Sequence, residues 1–191
     1  MLAPTALTFR PTELRTGRLL LRPPGEQDIE PTVRMYADKV SKRWLAGPQP
    51  YTLEEARRWC TDTAHLLRAM GDGIHWAITL EKDKGRRFLG GIGVKGTDWQ
   101  ARTTEIGYAL TARARGHGYA SEATRRVAEW ILRDHRFNRV ELFAATGNEA
   151  SQRVAERAGF VREGVARNAG FTHAGQQDMV MFSLTPADLD R

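Results

Sequence analysis

Residues 103–146 constrain the fold more than any other stretch. "TTEIGYAL" from Thr103 alternates as a strand does, "GYASEATRRVAEWILRDH" from Gly118 has the period of an amphipathic helix, and "RVELFAAT" from Arg139 returns to strand. A strand–helix–strand connection of this length predicts a parallel crossover. The strands just before it, "HWAITL" and "RFLGGIGVKG", are joined to it and to each other by short turns, which favour antiparallel pairing. The sheet must therefore be mixed, with a parallel step inside a meander.

The remaining segments extend this order. "RLLLRPP" from Arg18 reads as a strand ended by Pro23 and Pro24, and "EQDIEPTVRMYADKV" has helical spacing at Ile29, Val33 and Tyr36, with Pro31 confined to a first turn. "SKRWLAGPQPY" reads as a loop by its Gly-Pro content. "TLEEARRWCTDTAHLLRAM" opens with a capping box, Thr52 to Glu55, and carries Leu53, Ala56, Cys60, Ala64 and Leu67 on one stripe. In the crossover helix Ala120, Ala123, Val127 and Ile131 face inward. A short helix from Asn148 to about Ala158 stops at Gly159, and strands around Val161 to Ala166 and Asp178 to Leu184 close the chain. The reading is α+β (mixed α/β): a mostly antiparallel sheet of six to seven strands flanked by about four helices. With 191 residues, 41% of them hydrophobic, one domain over residues 1–191 is expected, and residues 1–12 form a candidate flexible extension.

Between the fourth of these strands and its helix stands "RARGHG". Glycines at 116 and 118 remove side chains where the chain turns, and the amides of residues 116 to 121 are the orphan donors of a helix N-terminus. With the helix dipole, and Arg113 and Arg115 beside them, they predict a phosphate or diphosphate site. Two other phosphate motifs fail. No Gly-x4-Gly-Lys-Ser/Thr occurs, and "GIGVKG", Gly91 to Gly96, leads into a turn and a strand rather than a helix, so its glycines read as hairpin glycines.

Composition narrows the classes. Lys+Arg 29 against Asp+Glu 23 gives +6, which suits either nucleic acid or a polyanionic small ligand, but the arginines are dispersed and the aromatics form no stacking platform. An RNA- or ribosome-binding module without catalysis is the competing class. Cys60 is alone and the five histidines lack metal-ligand spacing, so neither a disulfide framework nor a metal is expected. No apolar tract spans a membrane and "MLAPTALTFRPTEL" lacks the pattern of a secretory signal, so a soluble, cytoplasmic protein is expected.

The chain resembles the GNAT superfamily of N-acetyltransferases, in its RimJ/RimL-type branch, through "LRTGRLLLRPP", "TTEIGYAL", "RARGHGYASEA" and "GNEASQRVAERAGFVREG". The resemblance implies a sheet splayed between its fourth and fifth strands and acetyl-CoA as co-substrate. The pantetheine arm would pair with the backbone of Tyr108, Ala109 and Leu110. The diphosphate would rest on Gly116, His117, Gly118, Tyr119, Ala120 and Ser121, and Asn148 would bind the cofactor while capping its helix. Arg115 and Ala109 stand where the branch frequently carries other residues.

Acetyl transfer needs a neutral amine. At pH 7 an α-amine of pKa about 7.7 to 8.0 is roughly a tenth neutral, whereas lysine at about 10.4 is well under a thousandth. A weakly basic primary amine, a protein N-terminus or a small molecule, is thus the easier acceptor, helped by a carboxylate that takes the proton. Glu105, on the strand face opposite Tyr108, and Glu163, which matches a glutamate of the branch, are the two candidate bases. Ser151 is the branch-matched acid toward the departing thiolate, with Tyr108 the weaker alternative. Trp44 and Tyr51, bulky aromatics in the Gly/Pro-rich loop, are candidate acceptor walls. Succinyl-CoA is the alternative donor, with Arg18, Arg22 or Arg167 as added cations, and a homodimer is compatible with the sequence.

Overall fold

A computed structural model describes residues 7–83, 87–173 and 175–189. Its strands are β1 (Leu14–Arg15), β2 (Leu19–Arg22), β3 (Ile74–Leu80), β4 (Phe88–Asp98), β5 (Thr103–Leu110), β6 (Arg139–Ala145), β7 (Val161–Thr172) and β8 (Gly175–Leu184). The helices are α1 (Ile29–Ala37), α2 (Lys39–Trp44), α3 (Leu53–Arg58), α4 (Ala64–Met70), α5 (Tyr119–Glu129) and α6 (Glu149–Arg157). A π-helical turn, Trp59–Thr63, runs α3 into α4, and a second, Trp130–Asp134, extends α5.

The eight strands form one sheet in the order β1-β2-β3-β4-β5-β6-β8-β7. One described pair is parallel, β5 with β6, and the α5 crossover makes it so. The strand beyond the expected six to seven is β1, whose two residues are too short to show alternation. α2 is a correction to the loop expected over residues 41–51. Asp38 caps it by accepting from the amides of Val40 and Ser41, and the Gly-Pro content that signals a loop begins only at Gly47. The Thr52–Glu55 capping box forms as expected.

α5 and α6 cover one face of the sheet. Ala120, Ala123, Val127 and Ile131 are buried there against Trp76, Ile92 and Ile106. α1, α3 and α4 cover the other, where Ile29, Ala56 and Cys60 form a smaller cluster. Within residues 1–12, Phe9 is fully buried, its ring 4.8 Å from Trp99 and 5.2 Å from His135, while residues 1–6 lie outside the described residues. The glycines of "GIGVKG" are not hairpin residues: Gly91 and Gly93 sit inside β4. A Cβ on Gly93 would lie 2.0 Å from Nδ1 of His75, which pairs across from it, so the imidazole lies where that side chain would be.

The parallel pairing of β5 and β6 is brief. It runs from Thr103↔Arg139 to Glu105↔Glu141 and stops, while β5 continues to Leu110 and β6 to Ala145. The backbone of residues 106–110 keeps its antiparallel partner β4 but has no strand among the described residues on its other edge. This fork is the splay that the resemblance implies, and it positions everything that follows.

Candidate active site

At the open end of the fork β5 passes into the arginine-glycine turn. Gly116 and Gly118 have φ of +80° and +78°, the left-handed region that costs a side-chain-bearing residue about 1–2 kcal/mol. The amides of Gly116, His117, Gly118, Tyr119, Ala120 and Ser121 have no acceptor among the described residues, and no side chain caps α5. These amides lie at the positive end of a helix dipole. Arg18 supports the turn from behind: its Nη1 donates to the carbonyl of His117 at 3.0 Å, its Nε donates to Glu122 at 2.6 Å, and its guanidinium lies 4.9 Å from the ring centre of Tyr119.

Arg115 is engaged by the protein's own groups. Its Nη2 donates to the carbonyl of Leu110 at 3.0 Å and to Oγ of Ser41 at 3.1 Å, and lies 2.7 Å from a carboxylate oxygen of Asp38. That contact holds the Asp38 carboxyl below its ordinary range. Arg115 thus fastens α2 to the end of β5 while one part of it still lines the site. Neither the Asp38 cap nor its partner 77 positions away was read from the sequence. Arg113 is exposed on the short turn Ala112–Ala114, and His117 stacks on Tyr119; neither lines the cavity described next.

A cleft of about 300 Å³ runs from this turn between α2 and α6 to the free edge of β5. Tyr108, Ala109 and Leu110 line its floor, Gly116, Gly118, Tyr119, Ala120 and Ser121 one end, and Asn148 and Ser151 the α6 side. Asn148 caps α6 through Oδ1, which accepts from the amide of Ser151 at 3.2 Å, so its amide nitrogen is the group left for a ligand. The hydroxyls of Tyr108 and Ser151 are 2.9 Å apart, and burial pushes the Tyr108 phenol up to about 12. The structure joins the two expected acids into one hydrogen-bonded pair.

Trp44 lines this same cleft rather than an acceptor pocket, beneath the guanidinium of Arg43 at 4.6 Å from its ring centre and close to Gly147 across the fork. Its place on α2 explains this. Tyr51 stacks on Tyr36, ring centres 4.0 Å apart, and supports a second cavity only through that neighbour.

The second cavity, of about 200 Å³, lies on the opposite face of the sheet beneath α1 and the Trp59 turn. It shares Leu45, Tyr108 and Ala109 with the cleft, so the two meet at the fork. Nothing in the sequence pattern announced it: His75, Gly93 and Trp59 come from distant segments.

The two candidate bases are separated by the structure. Glu105 lies at the crotch of the fork on the face of this second cavity, as strand alternation requires, 3.0 Å from Nζ of Lys95, which lines the cavity. Glu163 is engaged elsewhere. It stands on β7 at the closed side of the fork, where Nη1 of Arg139 donates to it at 2.7 Å and Oγ of Ser183 donates at 2.8 Å, and it lines neither cavity. Arg139 and then Ser183 hold its carboxyl down at about 2, which makes it a weak base. Of the arginines considered for a succinyl group, Arg22 makes a buried bidentate pair with Asp28 at 2.7 and 2.8 Å and Arg18 holds the turn, while Arg167 is exposed on β7.

The model of the acetyltransferase (GNAT) domain matches residues 18–161 of this chain. A Bacillus subtilis (strain 168) protein described as an uncharacterized N-acetyltransferase, YoaA, is 28% identical over 171 residues, covering 90% of this chain and 95% of its own length. Among solved structures, RimL, a ribosomal L7/L12 alpha-N-protein acetyltransferase in complex with coenzyme A, aligns with a TM-score of 0.80 at 21% identity over 91% of this chain and 98% of that one. Mycobacterium smegmatis RimJ in complex with a CoA-disulfide aligns with a TM-score of 0.82 at 17% identity, over 95% of this chain and 90% of that one.

Proposed function

Since the chain belongs to the GNAT acetyltransferase family and is an acyl-CoA N-acyltransferase, we propose that it moves an acetyl group from acetyl-CoA to a primary amine by direct attack in a ternary complex. The observation that supports this reading is the meeting of two cavities at Tyr108 and Ala109, one ending at Gly116, Gly118, Tyr119, Ala120 and Ser121, whose amides have no acceptor among the described residues, and the other opening on the opposite face.

In this reading the diphosphate rests on the amides of residues 116 to 121, and the pantetheine arm completes the sheet against the free edge of residues 108–110. The thioester carbonyl then lies at the fork, where a backbone amide of that edge stabilises the developing oxyanion. An amine arrives through the second cavity and attacks from the other face. Glu105 takes its proton through water, because it is the carboxylate on that face nearest the fork along β5. On collapse, the Tyr108 hydroxyl stays protonated across the neutral range and, with Ser151, supplies a proton to the thiolate. No oxidation state changes: the C–S bond breaks, the C–N bond forms, and one proton passes from nitrogen to sulfur.

The acceptor is a protein N-terminus or a small-molecule amine. RimL is described as an alpha-N-protein acetyltransferase, which supports the first, and so does the amine arithmetic, since an α-amine offers about two to three powers of ten more neutral form than lysine. The test is a thiol-release assay with acetyl-CoA and a panel of amines and peptides, products identified by mass spectrometry. Acetylated product from a primary amine supports the reading. Coenzyme binding without product from any amine overturns it.

A further inference from the structure

The second cavity differs in chemistry from what a polyamine or aminoglycoside would need. Its walls are mostly rings and hydrocarbon: Tyr36, Trp59, Phe88, Met35 and Ala77 surround a floor kept low by Gly91 and Gly93. The lining contains one carboxylate, Asp28, and it is fully committed. Both of its oxygens accept from Arg22, one also accepts from the amide of Gly25, and its side chain is 1% exposed. The cation in the lining, Lys95, is paired with Glu105 at 3.0 Å, so that carboxylate too is committed and the pair offers no net negative charge to a polycation. His75 adds no charge at neutral pH, because burial pushes its imidazole down to about 4, and its shielded Nε2 has no partner among the described residues. At about 200 Å³ the space is below the roughly 300–1,000 Å³ of pockets that take drug-sized ligands, and suits a group the size of one side chain.

Resting on the acetyltransfer reading, we infer that this cavity receives an uncharged, apolar group attached next to the amine that is acetylated, and that it rejects polycationic amines. An ammonium placed here would lose its water against aromatic walls with no free carboxylate to pair with. An aryl or branched alkyl group would instead replace ordered water with ring contacts. The same chemistry could be presented by the first residue of a peptide or by an arylalkyl monoamine. Tyr108 and Ala109 at the cavity's inner end place the attached amine against the thioester.

The test compares kcat/KM, with acetyl-CoA fixed, for peptides that share one tail and begin with Phe, Leu, Gly, Asp or Lys, alongside phenethylamine and spermidine. It includes the Gly91→Leu variant. A Cβ at Gly91 meets only the carbonyl of Trp76 at 3.7 Å, an ordinary contact, so the substitution fits the backbone and its side chain fills the cavity. Calorimetric binding of acetyl-CoA is measured on both proteins. The inference expects Phe- or Leu-peptides or phenethylamine to exceed the Gly, Asp and Lys peptides and spermidine by about tenfold or more, the scale of burying one apolar side chain. It also expects Gly91→Leu to erase that preference through KM, with acetyl-CoA binding kept. Preference for Phe-peptide over phenethylamine identifies a polypeptide acceptor, and the reverse a small molecule. Equal rates across the panel, or preference for spermidine or the Lys peptide, overturn the inference and leave acetyltransfer standing. Loss of product from every amine overturns both. A Gly91→Leu protein that binds acetyl-CoA yet keeps the wild-type preference overturns the cavity assignment.

Discussion

Placing a carboxylate at the turn proposed to hold the diphosphate separates charge from shape. Gly118 occupies the N-cap of α5 at φ +78°, and a Cβ there would touch only Nη2 of Arg18 at 3.5 Å. Gly118→Asp is sterically admissible. Its left-handed backbone costs about 1–2 kcal/mol, partly offset because Asp is a favoured cap and Arg18 is adjacent. The new negative charge then sits where the free amides point. At about 5 Å from one phosphate charge, with an effective dielectric near 20, repulsion is about 3 kcal/mol, or roughly a hundredfold in affinity, and a diphosphate carries more than one charge. Gly118→Asn carries the same backbone penalty without the charge and is the matched control. Isothermal calorimetry with acetyl-CoA on folded proteins should show Asp weaker than Asn by about two powers of ten, with the gap shrinking in high salt. Equal affinities in the two variants would show that the turn does not hold an anion, and the proposed mechanism would go with it.

Glu163→Gln should leave kcat/KM at the wild-type level. Because its folded pKa is depressed, the carboxylate stabilises the protein above the ordinary glutamate range, and that contribution fades as pH falls toward about 2; at neutral pH the loss should be no more than about 1 kcal/mol for so exposed a pair. A large fall in turnover at unchanged stability would return Glu163 to the chemistry. Tyr108→Phe and Ser151→Ala should each lower kcat by about a hundredfold, the double variant little more, with acetyl-CoA affinity kept; additive losses would show that the two hydroxyls act separately. His75 keeps its proton off until about pH 4, whereas an unfolded histidine binds one near 6.5, so stability should fall as pH drops through that window, by about 2 kcal/mol between pH 7 and pH 5. Thermal denaturation of His75→Leu should lack this part of the acid limb, and an acid limb as steep as the wild type's would refute the burial argument.

Periodicity made most of the elements legible. The inward stripe of α5, the Thr52–Glu55 capping box and the Asn148 cap all emerge as their residue types demand, because each is decided within a few positions of the chain. Elements below that range escaped: β1 has two residues, and α2 hides at the edge of a Gly/Pro-rich stretch. The glycines of β4 misled for a different reason. Their use is to admit His75 and hollow the sheet face, a property of the neighbouring strand rather than of their own segment.

In the site, the turn of residues 116 to 121 could be read locally, since a helix N-terminus with two glycines exposes amides whatever the rest of the chain does. The pairing of side chains could not. That Arg115 faces Asp38 and Ser41, and that Arg139 and Ser183 hold Glu163, is set by segments far apart in the chain. What the sequence by itself determined is the crossover, the glycine turn at the start of α5 and the two helix caps, all governed by near-neighbour sterics and hydrogen bonding. Only the tertiary structure decided which charges are spent on one another, that Tyr108 meets Ser151, and that two cavities join at the fork, because these depend on distances between segments that alternation and helical period leave unspecified.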